Sequence, residues 1–223
     1  MNSTDPDGSS PPRSEGAGGP PRRVCFVTVG ATAPFDALIE ATCANAAFRD
    51  VLRRHGFTEL VVQYGRGGRG AALVEKARQE ERREEGGEVN GEAGQRLAID
   101  GFALKEDGLD QELRSVKEGE GRRQGVVVSH AGSGTILAAL RLGATLIAVP
   151  NPALLDDHQR QLAEVMAEQG YLIHGQIDNL PAAILAAEEL RRRHTQWPPV
   201  NSGQHRRANG VAGLIDEEVG WLD

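Results

Sequence analysis

The chain has 223 residues, a length that suits one compact domain with extensions. Its 25 Lys and Arg residues against 32 Asp and Glu residues give a net charge of −7, and only 4% of the chain is aromatic. These values argue against a nucleic-acid-binding protein, which usually presents a basic surface and aromatic rings for base stacking. Cys25 and Cys43 form no metal-binding spacing and fit a reducing compartment; we predict no metal site and no cofactor.

The first predicted elements follow a long polar N-terminus. Residues 1–22 are rich in Ser, Pro and Gly, lack the apolar stretch of a secretory signal and predict a disordered tail. The apolar, β-rich run at 24–29 predicts a buried strand. Apolar residues at helical spacing then extend from Phe35 to Gly56, where the glycine fits a helix end. Residues 60–63 predict a second short strand.

Two charged, glycine-rich stretches interrupt this pattern. Residues 75–96 combine Glu, Arg and Gly with almost no large apolar residue, which predicts a solvated insertion. Residues 98–102 follow as a third predicted strand. The second charged stretch, 105–124, predicts one short helix and a loop.

Strands and helices alternate regularly in the second half of the chain. Apolar runs predict strands at 126–129, 145–149 and 171–173. The helices between and after them are predicted to end at Gly143, Gln169 and Arg193. The last part, 194–223, is interpreted as a polar linker followed by a docking segment that holds a short helix.

This alternation predicts an α/β fold for residues 23–193, with a Rossmann-like, mostly parallel sheet, right-handed crossovers and helices on both faces. In such a sheet, ligands bind beyond the carboxyl ends of the strands. The residues that directly follow each predicted strand are therefore the candidates for a functional site.

The segment after the strand at 126–129 is the most informative one. Free backbone N–H groups, the positive end of a helix dipole and hydroxyl donors together predict a diphosphate cradle at this helix start. The segment has no P-loop lysine and no GxSxG nucleophile elbow. Taken alone, the neighbouring His130 is also explained as a turn residue. The cradle consists of Gly132, Ser133, Gly134 and Thr135.

Polar residues follow three other predicted strands. The turn at 30–34 and the loop around Arg66 could each approach an anion, and each is equally well explained as an ordinary loop. Asn151 and the run 156–159 supply amide, carboxylate and imidazole groups, which suit a hydroxyl-rich ligand such as a sugar. The two carboxylates of that run could also simply cap a helix, and the possible ligands are too few for a metal site. A phosphate cradle and a polyol cluster on one sheet edge together indicate a nucleotide-sugar ligand.

Several motifs, in order along the chain, carry a resemblance to a known family. With these motifs the chain resembles the catalytic subunits of the UDP-N-acetylglucosamine transferase of asparagine-linked glycosylation. It also looks like the donor-binding C-terminal half of a GT-B glycosyltransferase of family 28. The resemblance covers roughly 24–74 and 97–190. The motifs are 27–32 with Phe35 and Asp36, 63–67, 129–134, 139–143, and 150–151 with 155–159.

The resemblance implies a reaction, a place and a partner. The chain would transfer N-acetylglucosamine from UDP-N-acetylglucosamine to N-acetylglucosaminyl-diphosphodolichol, with inversion, at the cytosolic face of the endoplasmic reticulum membrane. A membrane-anchored subunit would supply the acceptor-binding half of a heterodimer. The implied substrate-binding residues are Gly30, Thr32, Arg66, Gly132, Ser133, Gly134, Thr135, Asn151 and Gln159. The catalytic candidates are His130, Asp157 and His158.

One departure from the family pattern gives an alternative function. Family members often carry an acid at the position of Ala138, where a carboxylate would bind the ribose hydroxyls. A nucleotide-sugar-binding regulatory subunit without transfer activity is therefore the second hypothesis. A flavodoxin-like or Rossmann oxidoreductase is disfavoured because no GxGxxG follows the first predicted strand. In the first hypothesis this chain mainly stabilises the leaving group, and which subunit carries the general base stays open.

Overall fold

A computed structural model of the chain describes residues 19–84, 96–153 and 158–196. Six strands lie within these residues: β1 (Val24–Thr28), β2 (Glu59–Gln63), β3 (Ala98–Phe102), β4 (Val126–Ser129), β5 (Leu146–Ala148) and β6 (Ile173–His174). They form one sheet in the order β3-β2-β1-β4-β5-β6, and every neighbouring pair is parallel.

Helices connect the strands and end the described part of the chain. Near the first of them, Asn45 interrupts the helical run because its side chain accepts a hydrogen bond from the Phe48 amide at 3.2 Å and starts a new helix. The helices are α1 (Asp36–Ile39), which continues as a π-helix over Glu40–Ala44, α2 (Ala46–Arg54), α3 (Gly70–Glu84), α4 (Asp110–Ser115), α5 (Ser133–Arg141), α6 (His158–Glu168) and α7 (Leu180–Gln196).

The sheet separates two apolar layers, as the sequence predicts. Side chains alternate along each strand, so Cys25 and Val27 of β1 enter one layer while Val24 and Phe26 enter the other. Helices α1, α2, α3 and α7 cover the first layer, and α4, α5 and α6 cover the second. Burial on both faces explains why the central strands are continuous apolar runs. The predicted α/β class, with a mostly parallel sheet and helices on both faces, is confirmed.

The stretch predicted as a solvated insertion is in part a packed helix, which corrects that interpretation. Helix α3 contains its first ten residues, 75–84, and Ala77 is buried in the first apolar layer. The buried guanidinium of Arg49 on α2 lies 2.9 Å from the Glu81 carboxylate, and Arg53 binds the same carboxylate. These ion pairs therefore hold α3 against α2, so the charged residues of this stretch are not simply exposed residues of a loop. The rest of the predicted insertion, 85–95, lies outside the described residues.

The remaining predictions differ from the structure mainly at element ends. The stretch 105–124 contains one short helix, α4, as predicted, and its Leu113 is buried in the second layer. The last strand begins two residues later than predicted, at Ile173, and α7 ends three residues later, at Gln196. The tail at 1–18 and the end of the docking segment, 197–223, lie outside the described residues.

A buried arginine fastens the amino end of the sheet. Arg23 is 1% exposed; its Nε donates to the Gln124 carbonyl at 2.8 Å, and its guanidinium lies 2.5 Å from the Glu188 carboxylate of α7. The guanidinium also stacks over the Phe57 ring. Burial raises the pKa of Glu188, but the hydrogen bonds and positive charges of Arg23 and Arg191 together outweigh burial, and the net pKa is lowered. This edge is therefore rigidly held, and the opposite edge carries the candidate site.

Candidate functional site

The register of the central strands brings three loops to the same carboxyl edge. Thr28, the last residue of β1, pairs with Gln63 on one side and with Ser129 on the other. The chain segments that follow these residues therefore leave the sheet side by side. The sequence-predicted glycines and His130 all lie in these segments, so the topology collects them as expected.

The start of α5 presents free backbone donors. Gly132 is the N-cap residue, with an extended backbone, and the Ile136 amide makes the first helical hydrogen bond, 3.0 Å to the Gly132 carbonyl. Within the described residues, the amides of Ser133, Gly134 and Thr135 donate no hydrogen bond. Unpaired amides at the positive end of a helix are a binding site for a phosphate oxygen.

The bend between β4 and α5 uses an uncommon backbone conformation. Ala131 has φ +64°, within the left-handed region, and its side chain is completely buried in the second apolar layer. A non-glycine residue costs about 1–2 kcal/mol in this region. The bend turns the chain between His130 and the start of α5. Strained residues of this kind are concentrated at functional sites.

His130 fills the space between two glycine backbones. A Cβ atom built on Gly30 would lie 2.5 Å from Cε1 of the imidazole, and one on Gly132 would also collide with the ring. Burial lowers the pKa of His130, and the Thr28 backbone opposes that shift only in part. The buried Nδ1 atom makes no hydrogen bond within the described part of the chain. At neutral pH the imidazole is therefore uncharged and tightly packed against the loop that follows β1.

A cleft of about 630 Å³ lies beyond β5 and β6 and is bordered by α6. Asn151 and Gln159 both line it, with His174 and Asp178 on the other side. The amide oxygen of Gln159 is buried and unpaired among the described residues. The cleft therefore combines an apolar floor with amide, imidazole and carboxyl groups, which suits a polar, hydroxyl-bearing ligand.

Asn151 also joins two loops of the edge. It is 7% exposed, donates from Nδ2 to the Pro34 carbonyl at 3.4 Å and accepts at Oδ1 from the Ala153 amide at 3.0 Å. The bond to Pro34 links the loop after β5 to the loop after β1, and the bond from Ala153 holds the loop after β5 in shape. The side chain thus fixes the mouth of the cleft as well as lining it.

Cysteine, histidine and carboxylate groups do not gather into a metal centre in the part of the chain that the structure describes. Over the same residues, none of the helices combines the length and the apolar character that a membrane crossing requires.

Comparison with known proteins places this geometry in a family. Residues 122–198 match the glycosyltransferase family 28 C-terminal domain. The UDP-N-acetylglucosamine transferase subunit ALG13 of Candida glabrata is 35% identical over 192 residues, a match that covers 79% of this chain and 90% of that protein. The chain belongs to the ALG13 family.

Two further comparisons agree with this membership. ALG13 of Saccharomyces cerevisiae is 31% identical over 163 residues, covering 67% of this chain and 76% of that one. The NMR solution structure of an ALG13 protein superposes with a TM-score of 0.51 at 25% identity, covering 86% of this chain and 98% of that chain. The resemblance inferred from the motifs is thus confirmed, and this ALG13-family chain carries a glycosyltransferase domain.

The sequence-predicted residues lie in several different places in this ALG13-family chain. Gly30, His130 and Gly132 pack against one another, and Asn151 and Gln159 share one cleft. Thr32 and Arg66 are exposed on their loops and make no described contact with α5, and His158 is exposed at the first residue of α6. Asp157 lies outside the described residues.

Two further residues of the ALG13-family chain bear on the site. Ala138 is half-buried on α5 and packs against the second apolar layer. Gln63 was not among the predicted site residues. It is fully buried, yet both ends of its amide hydrogen-bond to the loops of the carboxyl edge. The sequence signal that could have identified Gln63 is a polar residue at the end of an otherwise apolar strand.

Proposed function

We propose that this chain is the donor-binding subunit of an inverting transferase that moves N-acetylglucosamine from UDP-N-acetylglucosamine to N-acetylglucosaminyl-diphosphodolichol. The observation that carries the proposal is the start of α5, where the amides of Ser133, Gly134 and Thr135 are unpaired within the described residues. A diphosphate there receives several N–H donors and the positive end of the helix dipole. Family membership supplies the donor: the relatives are named as UDP-N-acetylglucosamine transferase subunits.

The chemical contribution of this chain is stabilisation of the leaving group. When an acceptor hydroxyl attacks the anomeric carbon, the bond to the diphosphate breaks and its electron pair leaves with UDP. Negative charge then grows on the phosphate oxygens, and fixed amides that point at those oxygens stabilise it more in the transition state than in the ground state. The neutral His130 packs behind this cradle and holds the loop of Gly30.

The sugar of the donor would extend from the cradle into the cleft beside it. Asn151 and Gln159 line that cleft, and their amide groups can bind sugar hydroxyls. His158 is the first residue of α6, and Asp157 precedes it in the sequence. These two residues are the neighbouring candidates for contact with the sugar and the acceptor.

We propose further that a membrane-anchored subunit completes the site at the cytosolic face of the endoplasmic reticulum. A nucleotide-sugar on one sheet edge stays half exposed, whereas transfer to an acceptor requires an oriented hydroxyl and exclusion of water. The described residues contain a single sheet, and no helix among them is long and apolar enough to cross a membrane. The relatives are named as subunits, which supports a partner that supplies the acceptor half and the general base.

Co-expression with the matching membrane subunit tests this proposal. Membranes containing both chains are supplied with labelled UDP-N-acetylglucosamine and N-acetylglucosaminyl-diphosphodolichol. The proposal predicts a labelled disaccharide lipid with a β-linkage, formed only when both chains are present. Donor binding without any transfer would instead support the regulatory, non-catalytic alternative, for which the small Ala138 side chain is the argument.

A further inference from the structure

The side-chain amide of Gln63 joins two loops of the carboxyl edge to the end of β2. Its Nε2 donates to the Gly30 carbonyl at 3.0 Å and to the Ala103 carbonyl at 2.8 Å. Its Oε1 accepts from the Thr28 hydroxyl at 2.6 Å and from the Gly30 amide at 3.2 Å. The chain segments after β1 and β3 are thus both tied to the last residue of β2.

This network is complete and fixes the orientation of the amide. The two carbonyls can only accept, so the NH₂ group must face them; the Gly30 amide can only donate, so the oxygen must face it. Gln63 is fully buried, and all four of its hydrogen-bonding positions are used. Burying a side-chain amide costs stability unless it is paired in this way. Packing alone would therefore be satisfied by an apolar side chain and does not explain a glutamine at this position.

Gly30 is the residue that this network holds at both ends. Its N–H and its carbonyl bond the same side chain, and it has φ +76°, a conformation that suits glycine. The face of Gly30 that lacks a side chain lies directly against the His130 ring. A shift of Gly30 would therefore move the ring, and the ring contacts Gly132 at the start of α5.

We propose that Gln63 is a positioning residue for the donor site: it holds Gly30, and through Gly30 and His130 it fixes the amides that receive the diphosphate. This inference rests on the proposed function of α5 as the diphosphate cradle. Gln63 itself touches no reacting atom. Its effect is on the geometry of the cradle, so its loss should weaken use of the donor without unfolding the sheet.

The substitution Gln63→Glu separates positioning from packing, because the two side chains have nearly the same shape. The ionised form of the new side chain would place a carboxylate against two carbonyl oxygens, while its protonated form could again donate to one of them. In the co-expressed complex at pH 8 we expect a KM for UDP-N-acetylglucosamine about tenfold above the wild type, roughly the effect of one hydrogen bond to a charged group. As the pH falls to 6, the KM ratio should return toward one.

KM is compared with that of the wild type at each pH, because the His130 imidazole lies against Gly30 and is titratable in both proteins. Thr42→Val is the matched control: it removes a buried hydroxyl that bonds the Leu38 and Ile39 carbonyls in the same apolar layer, away from the edge. We expect its KM to equal that of the wild type at both pH values.

A second measurement can be made without UDP-N-acetylglucosamine. In Gln63→Glu at pH 8, repulsion between the carboxylate and the Gly30 and Ala103 carbonyls should push the loop away from residue 63. Hydrogen exchange of the Gly30 amide in the full chain, followed by NMR, should therefore be at least tenfold faster than in the wild type, and it should be unchanged in Thr42→Val. A Gln63→Glu variant with normal KM and normal Gly30 exchange would overturn the positioning role. If the wild-type complex transfers no sugar, the proposed function fails, whereas the exchange rates still decide whether Gln63 holds Gly30.

Discussion

The imidazole of His130 and the backbone of Gly30 are interlocked: a single methyl group on Gly30 would lie 2.5 Å from Cε1 of the ring. One residue follows β1 and the other follows β4, so the contact joins two loops across the central pair of strands. This contact, together with the one between His130 and Gly132, couples the first loop to the start of α5.

The first prediction concerns Gly30→Ala. The new side chain would collide with His130 and would also have to adopt φ +76°. Gly108→Ala is a matched control, because Gly108 has φ +77° and open space around its Cβ position. We expect the control to lose about 1–2 kcal/mol of unfolding free energy from the backbone alone. Gly30→Ala should lose about 1–3 kcal/mol more, from overpacking, and should also lose donor binding. Equal losses in urea unfolding would show that the contact is not tight.

The second prediction concerns pH. Burial lowers the pKa of His130 in the folded chain below the 6.5 of a free imidazole. Between those two pKa values the unfolded chain binds a proton that the folded chain does not, so stability falls as the pH decreases below about 6.5. His130→Gln should flatten the part of this pH dependence that the histidine causes. Urea unfolding at pH 7.5 and pH 5.5 measures it; an identical slope in the two proteins would mean that His130 is not protected from protonation.

The third prediction uses the open space at Gly134. No atom outside its chain neighbours and the backbone of its own helix lies within 4 Å of a Cβ atom built there, so a larger side chain fits and favours the helix over glycine by about 0.5–1 kcal/mol. Gly134→Leu should therefore remain folded and stable while its side chain covers the unpaired amides and prevents donor binding. Gly134→Ala is the graded control and should bind within a few-fold of the wild type. Calorimetric titration with UDP-N-acetylglucosamine would distinguish them, and normal binding by the leucine variant would remove the cradle from this place.

The fourth prediction tests the packing of α3. The Glu81 carboxylate is 10% exposed and binds the buried Arg49, whereas the Glu75 carboxylate on the same helix is 48% exposed and binds Arg78 at 2.9 Å. Glu81→Ala should cost about 2–3 kcal/mol, since it removes a partner from a buried cation. Glu75→Ala should stay within about 0.5 kcal/mol of the wild type. Similar unfolding free energies for the two variants would mean that α3 is not anchored by its charges.

The strands of the sheet could be predicted because each one is recognisable from its own short stretch of sequence. Strands such as β1 and β4 are buried on both faces, so each is a continuous apolar run that ends at a glycine or a polar residue. The helix start at Ser133 was predictable for a similar reason: its glycines and hydroxyl residues directly follow such a run. The family motifs then indicated a specific donor for the proposed site, where the physical pattern alone indicated only a nucleotide-sugar.

Helix α3 and Gln63 were not predictable in the same way. The charges of α3 resemble those of a solvated segment until Arg49, far away in sequence, is seen to be buried against Glu81. Gln63 looks like an ordinary polar strand end until the register places Gly30 and Ala103 around its amide. In both cases the decisive partner is distant in sequence, and local composition does not show it.

The most direct test of the central claim is a titration of the ¹⁵N-labelled full chain with UDP-N-acetylglucosamine, followed through its backbone amide resonances. We predict that the largest shifts belong to Ser133, Gly134 and Thr135, because their free N–H groups bind the diphosphate. If the largest shifts instead fell at the opposite edge, around the cavity of about 300 Å³ lined by Gln124 and His194, the proposed donor site would be contradicted.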